Sequence, residues 1–463
     1  MAGIGFRLQK ILQKDTYIDT IKAYFYSALI FSGPWILSIF SLFALGYFNP
    51  KSIDTYELVF FKTTIVYIFA FSLIFAGVLY VSLNRYISDK LYLKEAEMVV
   101  PILNSVTLLV LVCQFAAGWL FFHFQGERAY LCFISALVYA VISMVWVLLI
   151  FLSALRDYRI IAAIYFLGSA VTVGAALFLG NIFGLEGYFT GYFLGHFLIV
   201  VLFASRVFIE FPSNKIFDSD FFAFLFKNKT LVFTGVLYNM AIWIDKIIFW
   251  FSPKALIVRP CLRTMPIYDS SVFLAYLTII PALSIFVVEV ETDFYLKYRD
   301  FYSAVLEKAP YSSIKRAKTR MSESLRRSLT FVIITQGVIS LLAVTFAPWI
   351  VNSAGLEPEQ IPIFRITTLG AYVHSLVLIL FLIISYFDFQ RLALAVALTF
   401  VLSNAVFTYC TLNMAVPFWG YGYFFSALLT LAYAFYTFDF KYKRLEYITF
   451  ALQPIAGHRE EEG

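Results

Sequence analysis

Residues 231–251 read LVFTGVLYNMAIWIDKIIFWF. Wound as a helix at 1.5 Å per residue, this stretch covers about 30 Å, the thickness of a bilayer's hydrocarbon core. Only Asp245 and Lys246 in it carry charge. A charge at bilayer depth costs at least a few kcal/mol unless it finds water or a partner. The segment therefore reads as a membrane-spanning helix with a reason to hold an acid and a base. Asp245 stands about 21 Å along the helix from Leu231, in its far third. Lys246 can carry its ammonium to the interface on its long stem, whereas the aspartate cannot. Adjacent residues point about 100° apart on a helix, so the two need not pair. Two readings follow. Asp245 and Lys246 anchor the helix at the interface between Trp243 and Trp250, or Asp245 faces a hydrated recess inside the protein.

The rest of the chain repeats this pattern. Apolar runs of spanning length occupy residues 24–48, 58–83, 99–123, 129–155, 160–182, 187–207, 231–251, 270–288, 329–351, 365–387, 392–414 and 419–438. Of the 463 residues, 61% are hydrophobic and only 14% charged. Soluble domains are nearer 25% charged. A mean hydropathy of +0.83 completes the picture of a chain dissolved mostly in lipid. Strict alternation of the kind barrel strands need is absent, so the expected fold is all-α, with about 12 transmembrane helices in two six-helix lobes.

Lysine and arginine set the orientation. With the N-terminus placed in the cytoplasm, 27 of the 35 Lys/Arg fall on the inner side and seven outside, with Lys246 within a span. That split satisfies the positive-inside rule with both termini cytoplasmic. The expected organisation is a cytoplasmic amphipathic N-terminal helix (1–23), a first lobe (24–210) and a cytoplasmic linker (211–230). A second lobe (231–438) with a cytoplasmic insertion (289–328) and a tail (439–463) follow. The net charge of +6 is then a topology signal. No basic-aromatic groove for nucleic acid is present.

The two lobes resemble each other. SALRDYRI from Ser153 aligns with SYFDFQRL from Ser385, and both FGLEGYF from Phe183 and WGYGYF from Trp419 place Gly-Tyr-Phe at the mouth of the next helix. The offsets, 232 and 235 residues, nearly agree. Paired lobes with a site at their interface are a transporter architecture.

Motifs for chemistry are sparse. No P-loop is present, and the four cysteines have no metal or disulfide spacing. No cofactor or metal is expected, and no cluster of acid, base and nucleophile marks an enzyme. Asp218-Ser219-Asp220 mimics the acidic triplet of metal-dependent glycosyltransferases but reads as a solvated loop. His196 and His374 lie about nine residues in from the outer end of their spans, where they bond between helices or line a transport path. Asp245, Lys246, His196 and His374 are thus the transport-path candidates. Gly33 and Pro34, in SGPW of the first span, are hinge candidates, since proline removes a helix hydrogen bond. Phe294, Tyr298, Phe301, Tyr302 and Val305 share one helix face, read as an interfacial amphipathic helix or a docking surface. The basic run that follows, with Arg316, Lys318, Arg320, Arg326 and Arg327, is the candidate docking site for a cytoplasmic partner.

GIGFRLQKIL near the start, AYFYSALIFSGPWILSIF in the first span and the FDFQR turn resemble the PelG family of exopolysaccharide exporters. That family sits in the multidrug/oligosaccharidyl-lipid/polysaccharide exporter superfamily, whose usual aspartate near the outer end of the seventh span matches Asp245. The resemblance implies a non-enzymatic bacterial inner-membrane transporter that passes a nascent galactosamine-rich polysaccharide to the periplasm during biofilm formation. It implies a cytoplasmic glycosyltransferase and membrane subunits that scaffold export and sense cyclic-di-GMP as partners. A lipid-linked oligosaccharide flippase, a cation-driven small-molecule antiporter and a non-transporting scaffold for a synthase are the alternatives.

Overall fold

The computed structural model describes Tyr24, Ser27, Ala28, Gly33 and residues 38–48, 53–152 and 158–451. The N-terminal segment 1–23, Pro34, Ser153 and residues 452–463 lie outside the described residues; Gly33 is helical and buried.

The first lobe contains α1 (Ser38–Tyr47), α2 (Thr55–Tyr92), α3 (Val99–Phe124), α4 (Ala129–Leu152) and α5 (Tyr158–Glu210). A short helix α6 (Asp220–Lys227) leads into α7 (Lys229–Trp250). A hairpin of β1 (Leu256–Arg259) and β2 (Leu262–Thr264) follows, paired antiparallel. Beyond it come α8 (Pro266–Leu277), α9 (Ile280–Glu289), α10 (Tyr295–Leu306), α11 (Tyr311–Thr345) and α12 (Ala347–Ser353). The chain closes with α13 (Gln360–Tyr386), α14 (Gln390–Leu412), α15 (Tyr421–Lys443) and α16 (Leu445–Ala451).

Among the described residues, nine helices are long and apolar enough to cross a bilayer. One of them, Ile160–Glu210, has 51 residues, far more than one crossing needs. It breaks at Gly184, where φ is 60°, and so makes two passes. With α15 and the described end of the first run in α1, the crossings come to twelve, in two lobes of six. Helices α3, α4 and α5 pack on one another in the first lobe, and α7, α8, α13, α14 and α15 in the second.

Both Gly-Tyr-Phe turns use the same device. A left-handed glycine stands just before each, Gly184 at φ 60° and Gly420 at φ 96°. The glycine of each motif then lets its helix lie against the preceding one. A Cβ on Gly422 would come within 2.5 Å of the Thr408 backbone nitrogen, and one on Gly187 would strike the Leu179 carbonyl. The tyrosines, Tyr188 and Tyr423, are fully buried. Gly420→Ala combines a disfavoured φ with a Cβ 2.7 Å from Thr367 Cγ2. It is expected to cost roughly 1–3 kcal/mol, read as a lower melting temperature of the detergent-solubilised protein.

The lobes meet where α2 crosses α7. Gly77 and Gly235 face each other there, and a Cβ on Gly77 would sit 2.6 Å from the Gly235 carbonyl oxygen. Small residues allow such backbone contact between membrane helices, where lipid offers no hydrophobic drive. Asn239 Nδ2 donates to Leu73 O across the same crossing at 2.8 Å.

Two expectations from sequence change at the end of the bundle where α6, α10 and α16 lie. Asp218 is buried, not solvated. Tyr86 donates to its Oδ2 at 2.9 Å, and its own N–H donates to Ser105 Oγ at 2.8 Å. It therefore pins the linker onto α2 and α3. The aromatic face of residues 294–305 covers the protein's own bundle. Phe294 and Phe301 are buried, and Tyr298 donates to Tyr386 O at 2.9 Å. A π-turn over Val290–Phe294 carries α9 into α10, and Asp293 takes Ser324 Oγ at 2.6 Å and Arg327 at 2.7 Å.

Candidate functional site

Helix α7 delivers Asp245 and Lys246 to the interior of the second lobe. Both side chains are fully buried. Instead of reaching for the interface, the lysine stem folds back along its own helix, the direction helical Cβ bonds take. Its Nζ donates to Ile242 O at 3.0 Å, to both Asp245 carboxylate oxygens at 3.1 Å and to Tyr276 Oη at 3.1 Å. Tyr268 Oη donates to Asp245 Oδ2 at 2.7 Å. The rings of Tyr276, Trp243 and Tyr423 surround the ammonium at 4.7, 5.7 and 5.8 Å. Neither charge is left unpaired, which is the condition for holding them in a low-dielectric interior.

The polar chain continues from there. Tyr276 packs edge-on against Tyr423, with ring centroids 5.9 Å apart. Tyr423 Oη meets His374 Nδ1 at 2.8 Å, and His374 Nε2 meets Tyr238 Oη at 3.3 Å. Asp245, Lys246, Tyr276, Tyr423, His374 and Tyr238 thus form one buried polar cluster, using side chains from α7, α8, α13 and α15. Hydrogen bonds within such a cluster hold its rotamers in one arrangement.

Three of the four transport-path candidates therefore lie in one cluster, while His196 stands apart in the first lobe. It is buried, its ring stacks on Tyr192 at 4.4 Å, and its Nδ1 meets Tyr192 O at 3.0 Å. It lines a cavity of about 20 Å³ with Ser38 and Ser41 of α1, Trp146, Tyr165 and Ser169. No group of three or more His, Cys, Asp or Glu suited to a metal ion occurs among the described residues.

Asp269 is the acid that sequence reasoning missed. It lies one residue outside the apolar run 270–288, on the first turns of α8. Its Oδ2 accepts from Trp250 Nε1 at 2.8 Å, Thr264 Oγ1 at 3.1 Å and Met265 N at 3.1 Å. Next to it the lobe seam is lined by rings: Trp250 of α7 stacks on Tyr67 of α2 at 4.5 Å. Trp243 and Phe273 extend the series at 6.1 and 6.0 Å.

The docking candidates lie on the first half of α11. Ile314, Ala317, Met321 and Leu325 form its buried face. Arg316, Arg320, Arg326 and Arg327 are exposed. Lys318 is held at home by Glu446 at 3.1 Å. Partial burial pushes the Glu446 carboxyl up, but Tyr311 and Lys318 outweigh it, and its pKa lies below the usual range.

Residues 1–450 match the model of the PelG family, exopolysaccharide exporter (EPS-E). No curated protein matches the sequence significantly. Solved structures do match in fold. An outward-facing multidrug resistance MATE family transporter of the MOP superfamily superposes with a TM-score of 0.64 at 11% identity, covering 92% of this chain and 96% of that one. A MATE transporter in the bent conformation gives 0.61 at 11%, covering 96% and 99%. A MOP superfamily transporter from Pyrococcus furiosus, whose binding pocket is described as reversed in polarity, gives 0.59 at 12%, covering 92% and 96%.

Proposed function

We propose that this chain, which belongs to the PelG family of exopolysaccharide exporters, passes a nascent polysaccharide across the bacterial inner membrane between its two lobes. The observation that carries this reading is the family match over nearly the whole chain, joined to the fold of a MOP superfamily transporter. The lysine and arginine distribution supports cytoplasmic termini. That puts the α10–α11 end in the cytoplasm and the hairpin end in the periplasm. The polymer is Pel-like and galactosamine-rich and serves the biofilm matrix. A cytoplasmic glycosyltransferase feeds it in, docking on the arginines of α11, and cyclic-di-GMP-sensing and scaffold subunits complete the assembly. The protein itself catalyses no bond change.

Deleting the gene tests the proposal. Secreted polymer should disappear while glycosyltransferase activity in the cytoplasm persists, and the intact chain supplied in trans should restore secretion. Normal secretion from the deletion strain would overturn the reading. The transport role of the charge cluster has its own test. The double variant Asp245→Asn, Lys246→Met keeps the shape of the cluster and removes both charges. Secretion is expected to fall well below that of the natural chain at equal protein level. Unchanged secretion would make the cluster purely structural.

A further inference from the structure

The β1–β2 hairpin belongs to the second lobe by sequence, since it joins α7 to α8. Its base is tied to that lobe. Lys254 Nζ donates to Leu412 O at 3.0 Å and lies over the Trp419 ring, and Thr264 bonds Asp269. Its strands and tip, however, are held by the first lobe. Tyr56 Oη donates to Val258 O at 2.8 Å. Tyr67 Oη donates to Arg263 O at 2.9 Å and accepts from Arg263 N at 3.1 Å. Gln125 Oε1 accepts from Cys261 N at 3.1 Å. Arg259 pairs with Glu127, bonds Tyr56 Oη, and lays its guanidinium over Phe60 at 4.9 Å.

Two strands alone leave edge N–H and C=O groups unpaired, and an isolated hairpin of this size is marginal in water. Here side chains from two separate parts of the first lobe, the start of α2 and the α3–α4 turn, satisfy those edges. The hairpin spans the seam beside the stacked Tyr67 and Trp250 rings. Moving the lobes apart at this end breaks all of these bonds together.

We propose that the hairpin is a latch: it clamps the two lobes at this end of the seam, and it must release before this mouth opens. The proposal rests on the transporter reading for its purpose, but not for its first test. The lobes at this end are shut in this structure, and the latch sets how often they part. Tyr56, Tyr67, Gln125 and Glu127 are the polar groups on the first lobe that hold it.

Arg128 and Glu359 are exposed at the hairpin end, one on each lobe. Spin labels on cysteines placed at both, with the exposed Cys113, Cys261 and Cys410 replaced by serine, report the distance across the mouth by pulsed dipolar spectroscopy. Tyr67→Phe with Glu127→Gln keeps packing and weakens the grip, leaving the bonds from Tyr56 and Gln125. The proposal expects the longer-distance population to grow roughly tenfold, the ratio that one or two partly buried hydrogen bonds support. An unchanged distance distribution would overturn it. No cargo is involved, so this result stands apart from whether polysaccharide is exported. A second measurement covers any loss of folding in that variant. Gln125→Cys, joined to the natural Cys261 by a short reducible thiol cross-linker, ties the latch shut. Secretion should stop and return on reduction, and full secretion with the cross-link complete would also overturn the latch.

Discussion

Lys246→Met is expected to cost the folded protein about 3–5 kcal/mol, because it strands the Asp245 carboxylate in a dry interior. The natural pair is complete. The ammonium uses Ile242 O, the carboxylate and Tyr276, and the carboxylate adds Tyr268. Methionine fills much of the same space but leaves one tyrosine hydroxyl to hold the charge. The double variant Asp245→Asn, Lys246→Met should recover most of the loss, because replacing a buried pair by neutral groups is often neutral or better. Thermal unfolding of wild type, both single variants and the double variant in one detergent closes the cycle. If Lys246→Met melts with the wild type, Asp245 is not desolvated and the cluster must open to water.

Much of this fold is written in the apolar runs. Twelve lengths of chain that lipid must surround or helices must bury leave few alternatives, and the Gly-Tyr-Phe turns carry the repeat. The site was less legible, for local reasons. From sequence alone Lys246 can reach the interface, because its stem is long enough. The same stem is long enough to fold back to Ile242, and only the packing of α8, α13 and α15 decides between the two. Tyr268, Tyr276 and Tyr423 look like any of the 31 tyrosines until α8 and α15 bring them round one buried ion pair. Asp269 gives no sequence signal, because it stands just outside an apolar run. The aromatic face at 294–305 was visible as periodicity, but periodicity does not say whether lipid, a partner or Tyr386 covers it. The hairpin escaped because seven strand residues in a polar loop give too short an alternation to read.

Gly235→Leu should be the most damaging single substitution at the lobe seam, at about 3 kcal/mol or more. Overpacking is tolerated where a side chain can move aside. Here a Cβ at either glycine meets the carbonyl of the other, so two helix backbones have to part. Parting them also breaks the Asn239–Leu73 bond and unstacks Tyr67 from Trp250. Gly77→Leu should behave alike, because the contact is reciprocal. Gly174 supplies the control. It lies exposed on α5 with nothing near the place a Cβ would occupy. Gly174→Leu should therefore be neutral or gain the ~0.5–1 kcal/mol that any side chain brings to a helix interior. Melting temperatures of the three variants separate contact from propensity: equal shifts at all three glycines would mean that α2 and α7 do not touch backbone to backbone, and the lobes would need another seam.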